Sequence, residues 1–388
     1  MRFKRIFLIV LDGIGVGASN DADNYGDINA NTLKHIHEHF PLFIPNLQKL
    51  GFLNTINMDD NPNVDAYYTI ARPNNIGKES LTGHYELMGI KNEEPFQTFT
   101  KNGFPRELIE EIENRTGRRV IGNKAASGTE IIEELGERHL NYGALIVYTS
   151  ADSTLQIAAH EDVIPISQLY KYCEIVRQIT LKKEWLVGRV IARPFVGKPG
   201  KFKRTSERKD FALKPPYPSV LNFLRDKNHN VIAIGKINDI FDGEGINKVI
   251  KTDSNNDAIN KLTDIMDKNF TGLCFTNLCD FDSIYGHRRN VEGFAKSIEE
   301  FDVQIPIILN KLNENDLLIL TADHGNDPTM PGSDHTRENV PVVIFSRDFK
   351  EPKKLDILTS LANIGATIAE NFELEQPIIG ESVLSKLI

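Results

Sequence analysis

The chain carries a recurring pattern of short continuous apolar runs, each ending in an acidic residue, a histidine or a glycine-containing loop. FLIVLDG at residues 7–13 begins it, and VIAIGKIND (231–239), GLCFTNLCDFD (272–282), DLLILTADHG (316–325) and VPVVIFS (340–346) continue it. Continuous Val/Ile/Leu runs of this length suit strands buried on both faces, not the alternation of a half-solvated sheet. Amphipathic stretches at 255–268, 291–312 and 357–372 separate them, so the ends of the chain predict a doubly wound α/β core.

The middle keeps a different rhythm. Helices are expected at 106–116, 129–138 and 167–180, and strands at 119–122, 144–150 and 187–197. A basic, glycine-rich stretch, VGKPGKFKRTSERKD, then leads to the proline cluster KPPYP at 214–218, which reads as a return hinge. The expected organisation is a discontinuous core, 1–97 and 214–388, with a smaller α/β cap inserted at 98–213. A length of 388 residues agrees, because one hydrophobic core stops growing at about 250–300 residues.

Composition narrows the classes. Hydrophobic residues at 40% and charged residues at 26% describe an ordinary folded protein. A formal charge of -9 leaves no basic stripe to neutralise phosphates, so nucleic acid is not an expected partner. The opening MRFKRIFLIVLDG meets Asp12 where a signal peptide would need small residues, and no apolar run reaches the about 18 residues of a membrane span. The three cysteines, Cys173, Cys274 and Cys279, form no paired framework and read as small buried hydrophobes in a cytoplasmic protein. No obligate protein partner is evident.

Three segments carry candidate chemistry. In TADHGNDPTMPGSDHTRENVPVVIF, Asp323, His324 and His335 flank a short loop between two strands, and carboxylate with imidazole is the donor mixture that divalent transition metals accept. In CDFDSIYGHRRN, Asp282 and His287 follow another strand end, and Asp12 closes the first strand in the same way. Open α/β sheets bind ligands outside the carboxyl ends of their strands, so these six side chains suit two metals with three ligands each. In IGKESLTGHYELMG, Thr82 admits two readings: a nucleophile activated by an adjacent metal, or a hydroxyl satisfying free amides of a helix. His35, His37 and His39 of KHIHEHF do not share one helix face and read as solvated, and His160 reads as a cap core residue.

Together the segments resemble the alkaline phosphatase superfamily. The match narrows to the phosphopentomutases through LDGIGVGASNDADNYGD, ASGTEIIEELGERH, YTSADSTLQIAAHE, VGRVIARPF, KRTSERKDFALKPP and IGKINDIF, which metal binding alone does not require. The resemblance implies an isomerase that interconverts ribose 1-phosphate and ribose 5-phosphate, with the deoxyribose analogues, through a phosphothreonine enzyme and a bisphosphate intermediate. It implies two Mn2+ ions, one on Asp282, His287 and His335, the other on Asp12, Asp323 and His324. Thr82 would carry the phosphoryl group, and Ser150, Asp152, Arg189, Arg204 and Lys236 would bind substrate. A sugar bisphosphate such as glucose 1,6-bisphosphate would prime the enzyme, and the cap would exclude water. Gly13, Asn20, Glu79 and Tyr85 depart from residues common in the family, without replacing an implied ligand.

Overall fold

A computed structural model describes residues 1–59, 63–150 and 153–387, and it separates into two compact units, Met1–Glu93 with Pro215–Ile388 and Glu94–Lys214. The larger unit is built on a seven-stranded sheet in the order Lys248–Ile250, Asn230–Ile234, Gly272–Leu278, Arg5–Leu11, Asp316–Thr321, Val340–Phe345, Tyr67–Ala71. The first five run parallel, and Val340–Phe345 lies antiparallel to both of its neighbours. Every residue of RIFLIVL is buried, as a central strand covered on both faces requires.

Register decides where the chemistry emerges. Val10 pairs with Asn277 on one side and Thr321 on the other, so three neighbouring strands finish level. Strands in a sheet lie about 4.8 Å apart, so the residues just beyond these ends come out side by side. The antiparallel strand begins at the same edge, Val342 facing Thr321, and the loop between the two strands therefore returns to where it left. At the opposite end of the sheet Arg5 is locked to Asp316, and its guanidinium also donates to the carbonyls of Met266 and Lys268 at 2.7 and 2.8 Å.

The helix Val291–Lys311 packs Phe294, Ile298, Phe301, Ile305 and Ile308 inward and contains Pro306. Proline has no N–H, which frees the carbonyl four residues earlier. That carbonyl, on Asp302, accepts from Asn46 Nδ2 at 3.2 Å, so the interruption is satisfied from a neighbouring segment.

In the smaller unit the strands Val120–Ala125, Leu145–Thr149, Thr154–His160, Arg189–Val196 and Lys203–Arg204 form one sheet, and Lys209–Ala212 pairs with Arg189–Val196. Leu145 and Val147 face a cluster that includes Leu108, Ile112, Leu169 and Val176 from the helices Arg106–Thr116 and Ile166–Ile179. Ile146 and Tyr148 face the other side, with Ile131 and Ile132 of the helix Gly128–Tyr142. Strict alternation along one strand thus assigns helices to both faces.

Elements that differ from expectation include a buried strand and the start of the last helix. Thr154–His160 is a strand that the sequence reading did not anticipate, and all seven of its residues are buried. The last helix starts at Ala362 instead of 357, because Leu355 and Leu358 donate their amides to Tyr68 and Ile70 of the edge strand at 2.9 Å each.

Candidate metal and phosphoryl-transfer site

Asp12 follows the central strand, Asp323 and His324 follow its neighbour on one side, and Asp282 sits in a π-helical turn, Phe281–Gly286, after its neighbour on the other. Single π turns are rare and frequent at functional sites, and here His287 follows directly. His335 arrives on the returning loop. The structure brings all six side chains to one edge of the sheet. Asp282, His287 and His335 offer ligand atoms within 4.8 Å of one another, and so do Asp12, Asp282 and His324. Asp282 stands in both groups, and Asp323 adjoins the second through Oδ2, 3.2 Å from His324 Nε2.

The hydrogen bonds fix which nitrogens face the carboxylates. Nδ1 of His287 lies 2.7 Å from the carbonyl of Ser333, and Nδ1 of His324 lies 3.1 Å from that of Gly325. A carbonyl only accepts, so each Nδ1 carries its proton and each Nε2 turns toward the carboxylates, the arrangement that orients metal-ligating histidines. His287 Nε2 is 3.2 Å from Asp282 Oδ2 and 3.1 Å from His335 Nε2, and His335 Nε2 is 3.2 Å from Asp282 Oδ1. Two nitrogens held by one divalent ion at bonds of about 2.1 Å, with tetrahedral angles, lie about 3.4 Å apart. The observed spacing fits a shared cation.

Unmet polar atoms point the same way. Asp12 Oδ1 and Asp323 Oδ2 are buried without a hydrogen bond, on residues 1% and 2% exposed. Uncompensated carboxylate oxygens of this kind are costly unless a cation joins them. Burial, then the charges of Asp323 and Asp282, pushes the Asp12 carboxyl up to about 6. Burial disfavours a charged His324, but Asp323 leads the carboxylates that overcome it and push the imidazole up to about 10. Asp323 moves the other way, since His324 and His84 outweigh its burial and hold it well below the usual range. The rises at Asp12 and His324 describe negative potential that positive charge would relieve, while the fall at Asp323 records the two imidazoles beside it.

The supporting residues lay beyond sequence reasoning. Asn277 Nδ2 donates to Asp12 Oδ2 at 2.9 Å, Asn326 Nδ2 to Asp282 Oδ1 at 2.7 Å, and the amide of Gly13 to Asp323 Oδ1 at 3.3 Å. His84, fully buried, places Nδ1 3.1 Å from Asp323 Oδ2. His35 is tied to buried Asp327 at 2.6 Å, so of the three clustered histidines this one departs from the solvated reading. His160 is buried in the smaller unit, its ring edge-on to Phe195 and Phe202.

Thr82 lies inside the helix Ser80–Leu87 and is 2% exposed, so it caps nothing. The helix abuts the metal-ligand candidates closely. A Cβ on Gly83 would stand 2.1 Å from the carbonyl oxygen of Asp323, and Ser80 Oγ is 3.0 Å from His324 Nε2. Lys236 belongs to the same unit, where its charge opposes the rise at Asp12. In the smaller unit Ser150 Oγ meets Thr154 Oγ1 at 3.0 Å, Arg189 pairs with Asp210 at 3.6 Å, and Arg204 is exposed. Asp152 lies outside the described residues.

Residues 4–376 match the family model described as the Metalloenzyme superfamily. A phosphopentomutase of Clostridium beijerinckii is 53% identical over 394 residues, covering 100% of both chains. Among solved structures, phosphoglycerate mutase of Leishmania mexicana aligns with a TM-score of 0.50 at 13% identity, over 98% of this chain and 97% of that one. A protein of Pyrococcus horikoshii aligns with a TM-score of 0.50 at 15% identity, over 96% and 98%. These two show the fold alone, a mixed α/β architecture. Among the described residues, no helix is long and apolar enough to cross a membrane.

Proposed function

Since the chain belongs to the phosphopentomutases of the metalloenzyme superfamily, we propose that it moves phosphate between positions 1 and 5 of ribose and deoxyribose, with Thr82 as the phosphoryl carrier. It is a metal-dependent mutase. The carrying observation is the convergence of Asp12, Asp282, His287, Asp323, His324 and His335, with imidazole nitrogens 3.1 Å apart, beside the helix that bears Thr82.

The six residues would hold two divalent ions, manganese by preference. When bound, these supply charge stabilisation on the transferring phosphoryl oxygens and activate the threonine hydroxyl. Phosphorylated Thr82 presents its phosphoryl group, and the free hydroxyl of a pentose monophosphate attacks in line. The bisphosphate so formed reorients, and Thr82 takes back the other phosphoryl group. Arg189, Arg204 and Lys236 would pair with phosphate, Asp152 with sugar hydroxyls, and Ser150 would also contact the substrate. A sugar bisphosphate such as glucose 1,6-bisphosphate would load Thr82 at the start, and the cytoplasm is the compartment that fits such substrates.

The test is incubation with manganese, ribose 1-phosphate and a trace of glucose 1,6-bisphosphate. Ribose 5-phosphate should accumulate with almost no free phosphate. Release of free phosphate without the isomer would make the protein a hydrolase and overturn the proposal.

A further inference from the structure

We propose that Glu79 is the proton acceptor for Thr82, an inference that rests on the reading of Thr82 as phosphoryl carrier. A threonine hydroxyl has one proton and two lone pairs. Asn92 Nδ2 can only donate, and it approaches Thr82 Oγ1 at 3.3 Å. The hydroxyl proton therefore points to its other neighbour, Glu79 Oε2, at 3.2 Å.

The contact is built, not incidental. Glu79 precedes the helix in extended conformation, with φ -85° and ψ 153°, yet its carboxylate caps none of the helix amides. It folds toward Thr82 instead. Gly77, at φ +110°, makes room: a Cβ there would stand 2.5 Å from Glu79 Oε2 and 3.2 Å from Thr82 Oγ1. Only glycine combines that backbone conformation with the absence of a side chain.

Neighbours hold the turn in place. The amide of Gly77 donates to Tyr25 Oη at 3.0 Å, and Arg337 donates to the carbonyls of Gly77 and Pro73 while paired with Asp21 at 2.9 Å. On the other side Asn75 Oδ1 accepts the amide of Asn92 at 3.0 Å, and Asn75 Nδ2 donates to Ile90 at 2.8 Å. Donor, nucleophile and acceptor thus sit on fixed supports, as efficient proton transfer needs. Burial raises the Glu79 carboxyl above its ordinary value, which makes it the stronger base.

When Thr82 accepts a phosphoryl group, the Oγ1–H bond breaks as Oγ1–P forms, and the proton passes to Glu79 Oε2. The bond from phosphorus to the sugar oxygen breaks, and that oxygen keeps the electron pair and takes a proton delivered from solvent. When Thr82 donates, the proton on Glu79 returns to Oγ1 as its bond to phosphorus breaks, and the attacking sugar hydroxyl gives its proton to solvent.

The experiment follows phosphate on the Thr82 peptide by mass spectrometry, using the manganese-loaded full chain and glucose 1,6-bisphosphate as donor. Glu79→Gln should load about 100-fold more slowly than wild type, the scale of general base catalysis. Glu79→Asp, which keeps a carboxylate, should recover about tenfold or more of that loss, and both variants should retain bound manganese. For wild type, loading should run roughly twofold slower in D2O, since a proton moves in the slow step. Equal loading by wild type and Glu79→Gln, a Glu79→Asp variant no faster than Glu79→Gln, or the absence of a solvent isotope effect would each overturn the role of Glu79 alone. Wild type that gains no phosphate on Thr82 would overturn the carrier reading with it.

Discussion

Glu86, in the last turn of the helix Ser80–Leu87 that carries Thr82, is a buried carboxylate held by dipoles. It accepts from the amides of Asn74 at 2.9 Å, Asn75 at 2.8 Å and Leu361 at 3.0 Å, and from Ser360 Oγ at 2.7 Å. It ties the helix carrying Thr82 to the turn that carries Asn75 and to the start of the last helix. Glu86→Ala leaves three buried donors, on Asn75, Ser360 and Leu361, without an acceptor. At about 1–3 kcal/mol for each orphaned group, and allowing for relief of a buried charge, the loss should be about 4 kcal/mol. Glu86→Gln keeps one oxygen but turns an amide donor toward another donor, for a loss of about 2 kcal/mol. Burial raises the Glu86 carboxyl above its ordinary value, so wild type gains stability when that group is protonated as pH falls. Glu86→Gln cannot gain it, and the gap between the two should widen toward acid. Urea unfolding followed by circular dichroism, at one fixed manganese concentration, measures both effects. Turnover of the folded variants should fall as Thr82 loses its alignment, by up to about 100-fold for a displacement near 1 Å. A Glu86→Ala protein within about 1 kcal/mol of wild type would refute the view that this carboxylate anchors the helix.

Because Asp282 belongs to both ligand groups and His287 to one, plasma emission should count two metals per wild-type chain, one for His287→Ala and fewer than one for Asp282→Ala; equal counts for the variants would contradict the shared role. Arg5→Met should cost about 3–5 kcal/mol by stranding Asp316, whose side chain is 2% exposed, and adding Asp316→Leu should restore most of it in urea unfolding. Burial pushes the Cys274 thiol up to about 12 and raises Cys173 and Cys279 as well. Iodoacetamide at pH 8 should therefore modify less than one thiol per native chain and all three in urea, as read by intact mass.

Much of the core was legible because buried parallel strands need continuous apolar runs, and FLIVL, LCFTNL and LLILT have them. The acidic and histidine residues beyond those runs could be placed at one sheet edge by topology alone. What escaped depends on contacts between distant segments. Thr154–His160 carries Gln156 and His160 among small residues and has no run strong enough to announce a strand, yet its neighbours on both sides bury it. The bond from His35 to Asp327 spans most of the chain, and helical spacing says nothing about it. Glu79 and Asn92 flank Thr82 in sequence, but only the positive φ of Gly77 shows why the carboxylate turns inward.

The central strand, Arg5–Leu11, has its hydrogen-bonding partners at Gly272–Leu278 and Asp316–Thr321. At ribosomal speeds of about 5–20 residues per second, the first partner is made roughly 15 to 50 seconds after the strand itself. During that interval RIFLIVL is an unpaired apolar segment on a growing chain, while the inserted unit, whose strands are close in sequence, can already fold. Nascent chains should therefore recruit a holding chaperone through Arg5–Leu11, and arrest or slow elongation before residue 272 should favour aggregation over recovery.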